Sequence, residues 1–283
     1  MDATILGIVD TIDETPQVEH HAPVSYREMV APAAIELSDL TKSLGGRTVL
    51  EGVNLSIQKG ETMCIIGGSG AGKSVTLKHI VGLLKPDRGC VKIDGVNVTQ
   101  SKNGALEAAR RKIGFLFQGA ALLNSMTVFE NVALPLREHE RLTEADILER
   151  VNHKLALVGL DEAGHKLPAE ISGGMKKRAG LARAIIRDPE IILYDEPTAG
   201  LDPVIGSTIN DLILDMQKKL GVTSVLVTHD MSSAFRVSNR IAMLLKGRIV
   251  KLGTPAEFRV SDDPIVKQFI HGESEGPLTK ERE

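Results

Sequence analysis

The stretch Gly67-Gly68-Ser69-Gly70-Ala71-Gly72-Lys73-Ser74 decides the fold of this chain. It fits the pattern G-x-x-x-x-G-K-[ST], in which glycines let the backbone curl and aim several N–H groups at phosphate oxygens. The apolar residues 63–66 before it predict a buried strand, and apolar residues at helical spacing after it predict an amphipathic helix. The positive N-terminal end of that helix also favours anions. Together these features predict a binding site for a nucleoside triphosphate.

Individual residues of this loop have distinct expected roles. Lys73 is expected to reach the β- and γ-phosphates and to act in catalysis, and the Ser74 hydroxyl is expected to ligate Mg²⁺. We predict nucleotide contacts from the loop and from the residue that follows it: Gly67, Gly68, Ser69, Gly70, Ala71, Gly72, Lys73, Ser74 and Val75.

Composition narrows the class of protein without selecting a function. The 283 residues can form one large domain, or one domain with a subdomain, and a net charge of −3 gives no support for nucleic-acid binding. The two cysteines suggest no disulfides, and Cys64 is expected to be a core residue. No apolar run approaches the ~20 residues of a membrane span, and the N-terminus lacks signal-peptide features. We therefore expect a chain of the reducing cytosol that meets a membrane only through a partner.

Three regions are expected along the chain. Residues 1–34 are acidic and have little periodicity, which predicts a flexible N-terminal extension. Residues 35–255 carry the strand and helix patterns of the nucleotide-binding domain. Residues 256–283 are expected to form a C-terminal helix and an acidic tail, and the charge composition of the tail favours disorder.

The nucleotide-binding domain is predicted to have an α/β fold. Alternating residues at 35–40 and 53–57, with a Gly-Gly turn between them, predict antiparallel strands. Continuous apolar runs at 191–194 and 222–227 predict parallel strands covered on both faces. Helical periodicity predicts an inserted subdomain at about 119–172. Within it, Thr143 followed three residues later by Asp146 predicts the capping box of a helix, with Asp in place of the usual Glu or Gln. The predicted fold is therefore a P-loop NTPase core, a mainly parallel sheet with flanking helices, with an N-terminal antiparallel β subdomain and this helical insert.

Two acids end the apolar run at 191–194. Asp195 at the tip of a strand can hold Mg²⁺, and Glu196 can polarise an attacking water as general base. An isolated Asp-Glu pair after a strand is more often structural, but the phosphate-binding loop elsewhere in the chain reverses those odds. We therefore predict Asp195 as a metal ligand and Glu196 as a catalytic residue.

A second anion site is predicted at Ser172-Gly173-Gly174, where a turn opens a helix. Backbone N–H groups and the helix dipole favour a phosphate there. For a lone Ser-Gly-Gly the better interpretation is a helix N-cap with Ser172 as the capping residue. Two phosphate sites beside a single acidic pair need a further explanation.

These features, in their order along residues 35–255, resemble the ATP-binding-cassette (ABC) ATPases. The signature L-S-G-G-Q of that family resembles residues 171–175, with Ile for Leu and Met for Gln, and residues 199–202, ending at Asp202, resemble its D-loop. Gln118 resembles its Q-loop glutamine and His229 its switch histidine. One position departs from the pattern, since Leu44 stands where the family has an adenine-stacking aromatic, which predicts looser base selectivity.

The resemblance implies a head-to-tail homodimer in which each ATP lies between one P-loop and the Ser172-Gly173-Gly174 turn of the other subunit. It also implies the cofactors ATP and Mg²⁺. His229 would contact the γ-phosphate, and Gln118 would link the metal and the attacking water to the helical subdomain. Gln118 would therefore act as a nucleotide contact, a metal ligand and a catalytic residue, and Asp202 and Leu44 would also contact nucleotide.

A narrower resemblance is to the ATPases of MCE-associated (Mla-type) lipid transporters, in the stretches 114–122, 128–138, 172–178 and 268–278. Met175 at the fifth signature position discriminates best, although it is a habit of that group rather than a physical requirement for lipid. The resemblance implies an integral membrane permease, an MCE-domain lipid-binding subunit and a small accessory regulator. It places the chain on the cytoplasmic face of the inner (plasma) membrane, held there by the permease.

Two other functions stay open from the sequence. The first keeps the transporter class but changes the cargo to amino acids, ions or another small solute. The second is a soluble ABC protein that acts on nucleic acid or the ribosome, and we rank it lower because the chain has one cassette and no basic or coiled-coil insertion. Cargo and direction of transport are set by the permease and cannot be predicted from this subunit.

Overall fold

The computed structural model describes residues 33–99 and 104–280. Within these ranges the chain forms ten strands: β1 (Ala33–Leu44), β2 (Arg47–Gln58), β3 (Thr62–Ile66), β4 (Arg88–Ile93), β5 (Val96–Asn97), β6 (Ile113–Leu116), β7 (Ile191–Asp195), β8 (Thr223–Thr228), β9 (Arg240–Leu245) and β10 (Arg248–Gly253). The same ranges form ten α-helices: α1 (Lys73–Ile80), α2 (Ala105–Arg111), α3 (Val128–His139), α4 (Glu144–Leu157), α5 (Gly173–Ile185), α6 (Pro203–Leu220), α7 (Met231–Val237), α8 (Pro255–Arg259), α9 (Pro264–His271) and α10 (Pro277–Lys280). None of these helices is both long enough and apolar enough to cross a bilayer.

The larger of two sheets carries the phosphate-binding loop. Its strand order is β10-β9-β3-β8-β7-β6, and neighbouring strands are parallel except for β9 with the edge strand β10. Strands β3, β7 and β8 are buried along their whole length, as their apolar runs predict. Cys64 in β3 is fully buried, which confirms it as a core residue, and this burial raises the pKa of its thiol. Because parallel strands end at one edge of a sheet, the residues that follow β3, β7 and β8 lie side by side.

The smaller sheet is antiparallel, with strand order β2-β1-β4-β5. Its first hairpin turns at Gly45-Gly46, where both residues have positive φ, as the Gly-Gly signal predicts. Strand β1 begins at Ala33, which pairs with Gln58, two residues before the predicted start of the domain at residue 35. Residues 1–32 of the predicted flexible extension lie outside the described residues.

The helices between β6 and α5 begin at capped residues. Thr143 accepts from the Asp146 backbone N–H and Asp146 binds back to Thr143, which confirms the predicted capping box of α4. Thr127 and Glu130 form a second capping box at the start of α3, which sequence reasoning missed. Helices α3 and α4 fall inside the subdomain that we propose at about 119–172, and both share one apolar core with α5.

The acidic tail differs from its prediction. Composition favours disorder after Gly272, whereas the chain there folds back on α9 and forms the short helix α10. The buried amide of Gln268 organises this turn: its Oε1 accepts from the Leu278 N–H at 2.7 Å and its Nε2 donates to the Glu273 carbonyl at 3.2 Å. A single buried amide that binds backbone groups can order a segment whose charge alone favours solvent.

Replacing Gln268 with Leu should release this tail. Leucine has a similar volume but cannot bind the backbone of the tail, and each lost hydrogen bond is worth roughly 1 kcal/mol. We expect hydrogen exchange at the Leu278 amide to speed up by about 10-fold. Mass spectrometry of peptides that cover 273–280 measures this exchange rate. Lys267→Met is the control, because it removes only an exposed ion pair to Asp262. Unchanged exchange in the Leu variant would mean that other contacts hold the tail.

Candidate active site

The phosphate-binding loop turns tightly between β3 and α1, and glycine is required at two of its positions. A Cβ on Gly67 would lie 2.3 Å from the Leu244 carbonyl oxygen. A Cβ on Gly72, whose φ is 106°, would lie 2.7 Å from Leu50 Cδ2 and 2.8 Å from the Val49 oxygen. Larger residues would push the loop away from β9 and β2. The loop therefore delivers the first N–H groups of α1 to the open edge of the sheet, where an anion can bind.

Lys73 lies within this loop rather than pointing into solvent. Its side chain is buried, and Nζ donates to the carbonyl oxygens of Gly67 at 2.8 Å and Gly68 at 3.1 Å. The same ammonium lies 3.7 Å from Glu196 Oε1. The positive charge that is predicted to meet phosphates is thus held at the loop, beside the predicted general base.

Glu196 is held by three elements of the fold. It follows β7 with a left-handed φ of 48°, which is uncommon for a residue with a side chain. Its Oε2 accepts from Thr228 Oγ1 at 3.2 Å and lies 3.0 Å from His229 Nδ1, and its other oxygen faces Lys73. The carboxylate is therefore fixed at a backbone position of the kind that is often found at active sites.

Seven of the predicted site residues line one open cleft of about 340 Å³. It is lined by Ser69, Gly70, Lys73, Ser74, Gln118, Glu196 and His229. The His229 side chain is 64 % exposed and can meet a ligand that enters from solvent. Backbone N–H groups, an ammonium, a carboxylate and an imidazole in one cleft can bind a polyphosphate and take a proton from a water molecule.

The same cleft has a donor set that suits Mg²⁺. Ser74 Oγ donates to Asp195 Oδ1 at 2.7 Å, so a hydroxyl and a carboxylate converge at the loop. Mg²⁺ prefers oxygen ligands and is usually held by one or two protein groups together with phosphates and water. Ser74 and Asp195 fit that requirement, and Gln118, the third predicted metal ligand, lines the same cleft.

The remaining predicted nucleotide contacts lie outside this cleft. Ser172 caps α5, where its Oγ accepts from the Met175 N–H at 3.3 Å, and Ser172 and Gly173 are exposed while Gly174 is buried. Asp202 caps α6 through two bonds from the Val204 and Ile205 N–H groups.

Ser172 and Asp202 therefore have local capping roles that explain their residue types without a nucleotide. Leu44, at the end of β1, is 40 % exposed. The predicted nucleotide contacts of these residues stay predictions.

A second cleft, of about 420 Å³, shares Glu196 and His229 with the first. Thr198 and Asp230 line it and belong to a partly buried polar network, in which Thr198 Oγ1 donates to Asp230 Oδ2 at 3.3 Å and Ser233 Oγ donates to the same oxygen at 2.5 Å. This network joins the segment before the predicted D-loop to the residue after His229. Sequence reasoning missed it because its members are distant in the chain.

Two further residues of the site were also missed. Thr228, which binds Glu196, is absent from the predicted site residues, although its position at the strand end directly before His229 is a usable signal. Lys177 donates to the backbone oxygens of Gln118 and Glu196. The signal for Lys177 is its place among buried residues of α5, at a position where an apolar residue is expected.

Comparisons with known proteins agree with this geometry. The family described as "ABC transporter" matches residues 50–199. The chain is 44 % identical over 245 residues to "Probable ribonucleotide transport ATP-binding protein mkl" of Mycobacterium tuberculosis, covering 87 % of this chain and 68 % of the relative. It is 39 % identical over 244 residues to "Intermembrane phospholipid transport system ATP-binding protein MlaF" of Haemophilus influenzae, covering 86 % and 92 %.

Among solved structures, the chain is similar to the ATP-binding cassette MJ0796 in a dimeric post-hydrolysis state bound to ADP and Pi. The TM-score is 0.72 and the sequence identity is 34 %, with 78 % of this chain and 98 % of that chain covered. The P-loop, the acids after β7 and the histidine after β8 occur here on an α/β fold of the same kind. The chain therefore belongs to the ABC transporter family and is an ATP-hydrolysing cassette of that family.

Proposed function

We propose that this chain hydrolyses ATP in the cleft between the P-loop and Glu196, and that it thereby powers the movement of phospholipid or another lipid by a membrane permease. One observation carries the hydrolytic part. Lys73, Glu196 and His229 converge on one cleft, with Glu196 hydrogen-bonded in a fixed orientation. A phosphate-binding loop without a positioned base would bind nucleotide but give little hydrolysis.

The proposed roles follow from these positions. The loop N–H groups and Lys73 bind the β- and γ-phosphates, and Ser74, Asp195 and Gln118 would hold Mg²⁺, which neutralises phosphate charge when bound. Glu196 accepts a proton as water attacks the γ-phosphorus, the bond from phosphorus to the β–γ bridging oxygen breaks, and ADP and phosphate leave. His229 stabilises the γ-phosphate and, with Thr228, orients the Glu196 carboxylate.

Glu196→Gln tests the assignment of the base. Glutamine is nearly isosteric and can keep the hydrogen bond from Thr228, but it cannot accept the proton. We expect ATP binding to survive while turnover falls by roughly 10²–10⁴-fold, the usual share of a general base. Fluorescent-nucleotide titration and single-turnover hydrolysis measure the two effects separately. Turnover near that of the wild type would remove Glu196 from the mechanism.

We also propose that two copies form composite sites, head to tail. The exposed Ser172-Gly173 turn lies outside the cleft of its own chain, as a residue that serves another subunit must. Beside it are exposed apolar residues at the start of α6, with Val204 75 % exposed and Ile205 packed against Gly174. Such residues suit an interface. The dimeric state of the similar MJ0796 cassette supports this proposal.

Mixing two inactive variants tests the composite sites. Lys73→Ala should lose phosphate binding and hydrolysis in its own P-loop, and Ser172→Arg should place a bulky cation where the opposite nucleotide docks. A head-to-tail mixed dimer puts both lesions in one site and leaves the other site intact. We therefore expect the mixed dimer to recover ATPase activity while each parent is inactive, measured after tandem purification through two affinity tags. A Ser172→Arg homodimer with wild-type turnover would leave Ser172 only its capping role.

For the cargo, two relatives point to different molecules. The MlaF relative, named for phospholipid transport, matches over 92 % of its own length, whereas the mkl relative, named for ribonucleotide transport, matches over 68 %. We favour lipid because the match covers nearly the whole length of the MlaF relative. The proposed assembly contains an integral permease, an MCE-domain subunit and a small regulator. The cassette would sit at the cytoplasmic face of the inner membrane, bound to the permease.

Reconstitution with the permease that co-purifies with this chain from solubilised membranes separates the two cargoes. The complex is placed in proteoliposomes that contain fluorescent phospholipid, and a parallel sample receives a radiolabelled ribonucleotide. We expect ATP-dependent transfer of the phospholipid and no ribonucleotide accumulation, with Glu196→Gln as the control for ATP dependence. Ribonucleotide transport with no lipid transfer would overturn the lipid assignment and leave the ATPase assignment in place.

A further inference from the structure

A lysine is buried in the middle of the site without a role in the mechanism above. Lys177 lies on α5, five residues after Ser172, and is 5 % exposed. Its Nζ donates to the backbone oxygen of Glu196 at 2.9 Å and to the backbone oxygen of Gln118. One ammonium therefore joins α5 to the end of β7 and to the segment after β6.

The charge of Lys177 is unusual at this position. The buried residues of α5 are otherwise small or apolar, including Gly174, Leu181 and Ile185. Burial lowers the pKa of Lys177, and the nearby carboxylates of Asp195 and Glu196 oppose that shift. An ammonium is costly to bury, and a methionine would fill the same space without that cost. An apolar residue could not donate hydrogen bonds to the two carbonyls that Lys177 binds.

Both carbonyls belong to segments whose position matters for hydrolysis. Glu196 has a left-handed φ of 48°, and its N–H donates to the Val227 carbonyl. Its own carbonyl accepts from Lys177 at 2.9 Å and, more weakly, from the Ala199 N–H at 3.3 Å. Backbone in this region is strained and persists only where neighbouring contacts enforce it. Without Lys177 the Glu196 carbonyl would keep only the 3.3 Å bond from the Ala199 N–H, and the peptide could rotate and carry the carboxylate away from His229.

We propose that Lys177 is a positioning residue for ATP hydrolysis in the cleft of its own chain: it holds the Glu196 backbone, and through it the carboxylate, in the orientation that accepts a proton from water. The inference rests on the proposed role of Glu196 as base. The rival interpretation is that Lys177 only supports α5, and so supports Ser172 in the composite site of the partner.

Lys177→Met is the main variant, because it keeps the length of the side chain and removes the donor. We expect nucleotide affinity within about twofold of wild type, since the P-loop is untouched, and kcat lowered about 10- to 100-fold, the effect of small misplacement of a reacting group. Lys154→Met is the matched control. Lys154 lies on α4 in the helical insert, is equally buried at 5 % exposure, and forms an ion pair with Asp188, which follows α5. It should lose stability in urea unfolding yet keep kcat.

Mixed dimers separate the two interpretations. With Lys177→Met in one chain and Ser172→Arg in the other, a positioning role leaves one site fully intact, so the dimer should be active. With both substitutions in one chain and a wild-type partner, the remaining site contains the misplaced Glu196, so activity should fall about 10- to 100-fold below the first dimer. If Lys177 only supports Ser172, the order of the two activities reverses, and that result would overturn the proposal.

Two controls complete the test. Lys177→Gln keeps a shorter neutral donor and should give the same order of activities, so it replaces the Met variant should that variant fail to fold. Glu196→Gln is measured in parallel. If Glu196→Gln retains turnover, the proposed base is wrong, and this inference falls with it. If Glu196→Gln is inactive while Lys177→Met keeps wild-type kcat, only the positioning role is overturned.

Discussion

The register of three parallel strands is the constraint on which the site depends. Ile66 at the end of β3 pairs with Thr228 at the end of β8, and Asp195 at the end of β7 pairs with Val227. Because neighbouring strands lie about 4.8 Å apart, the residues that follow these ends come within side-chain reach of one another. A slip of one residue in any of them would turn Asp195 or Thr228 to the other face of the sheet. Close packing of the buried side chains on both faces of the three strands stabilises this register.

Opposite charges pair within the cleft. Lys73 and Glu196 are both buried, and each offsets the desolvation of the other across 3.7 Å. The Gly67 and Gly68 carbonyls bind the remaining protons of the ammonium. An arriving phosphate competes for Lys73 and weakens its attraction to Glu196, so binding of substrate itself changes the electrostatic environment of the proposed base.

The parts of the structure that sequence predicts are those that depend on local pattern. The loop at 67–74, the buried strands β7 and β8 and the capping box at Thr143 each leave a signature within a few residues, and the structure has all of them. Lys177 leaves only a charge at a position of α5 where an apolar residue is expected, and its two partners cannot be predicted because tertiary packing brings them to it. The order of the tail depends in the same way on one buried amide, that of Gln268, which composition does not reveal.

Helix α5 contacts several segments of the site that are distant from one another in the sequence. Its exposed start is Ser172, its buried middle holds Gln118 and Glu196 through Lys177, and further along Arg183 donates to the carbonyls of Ala120 and Ala121. A hydrogen-bonded helix of 13 residues moves as a unit. In the proposed dimer, docking of Ser172 on the partner's nucleotide would therefore act on the same rigid element that holds the Gln118 segment and Glu196. Linkage is reciprocal, so release of phosphate at one site would loosen the helix that positions the base of the other.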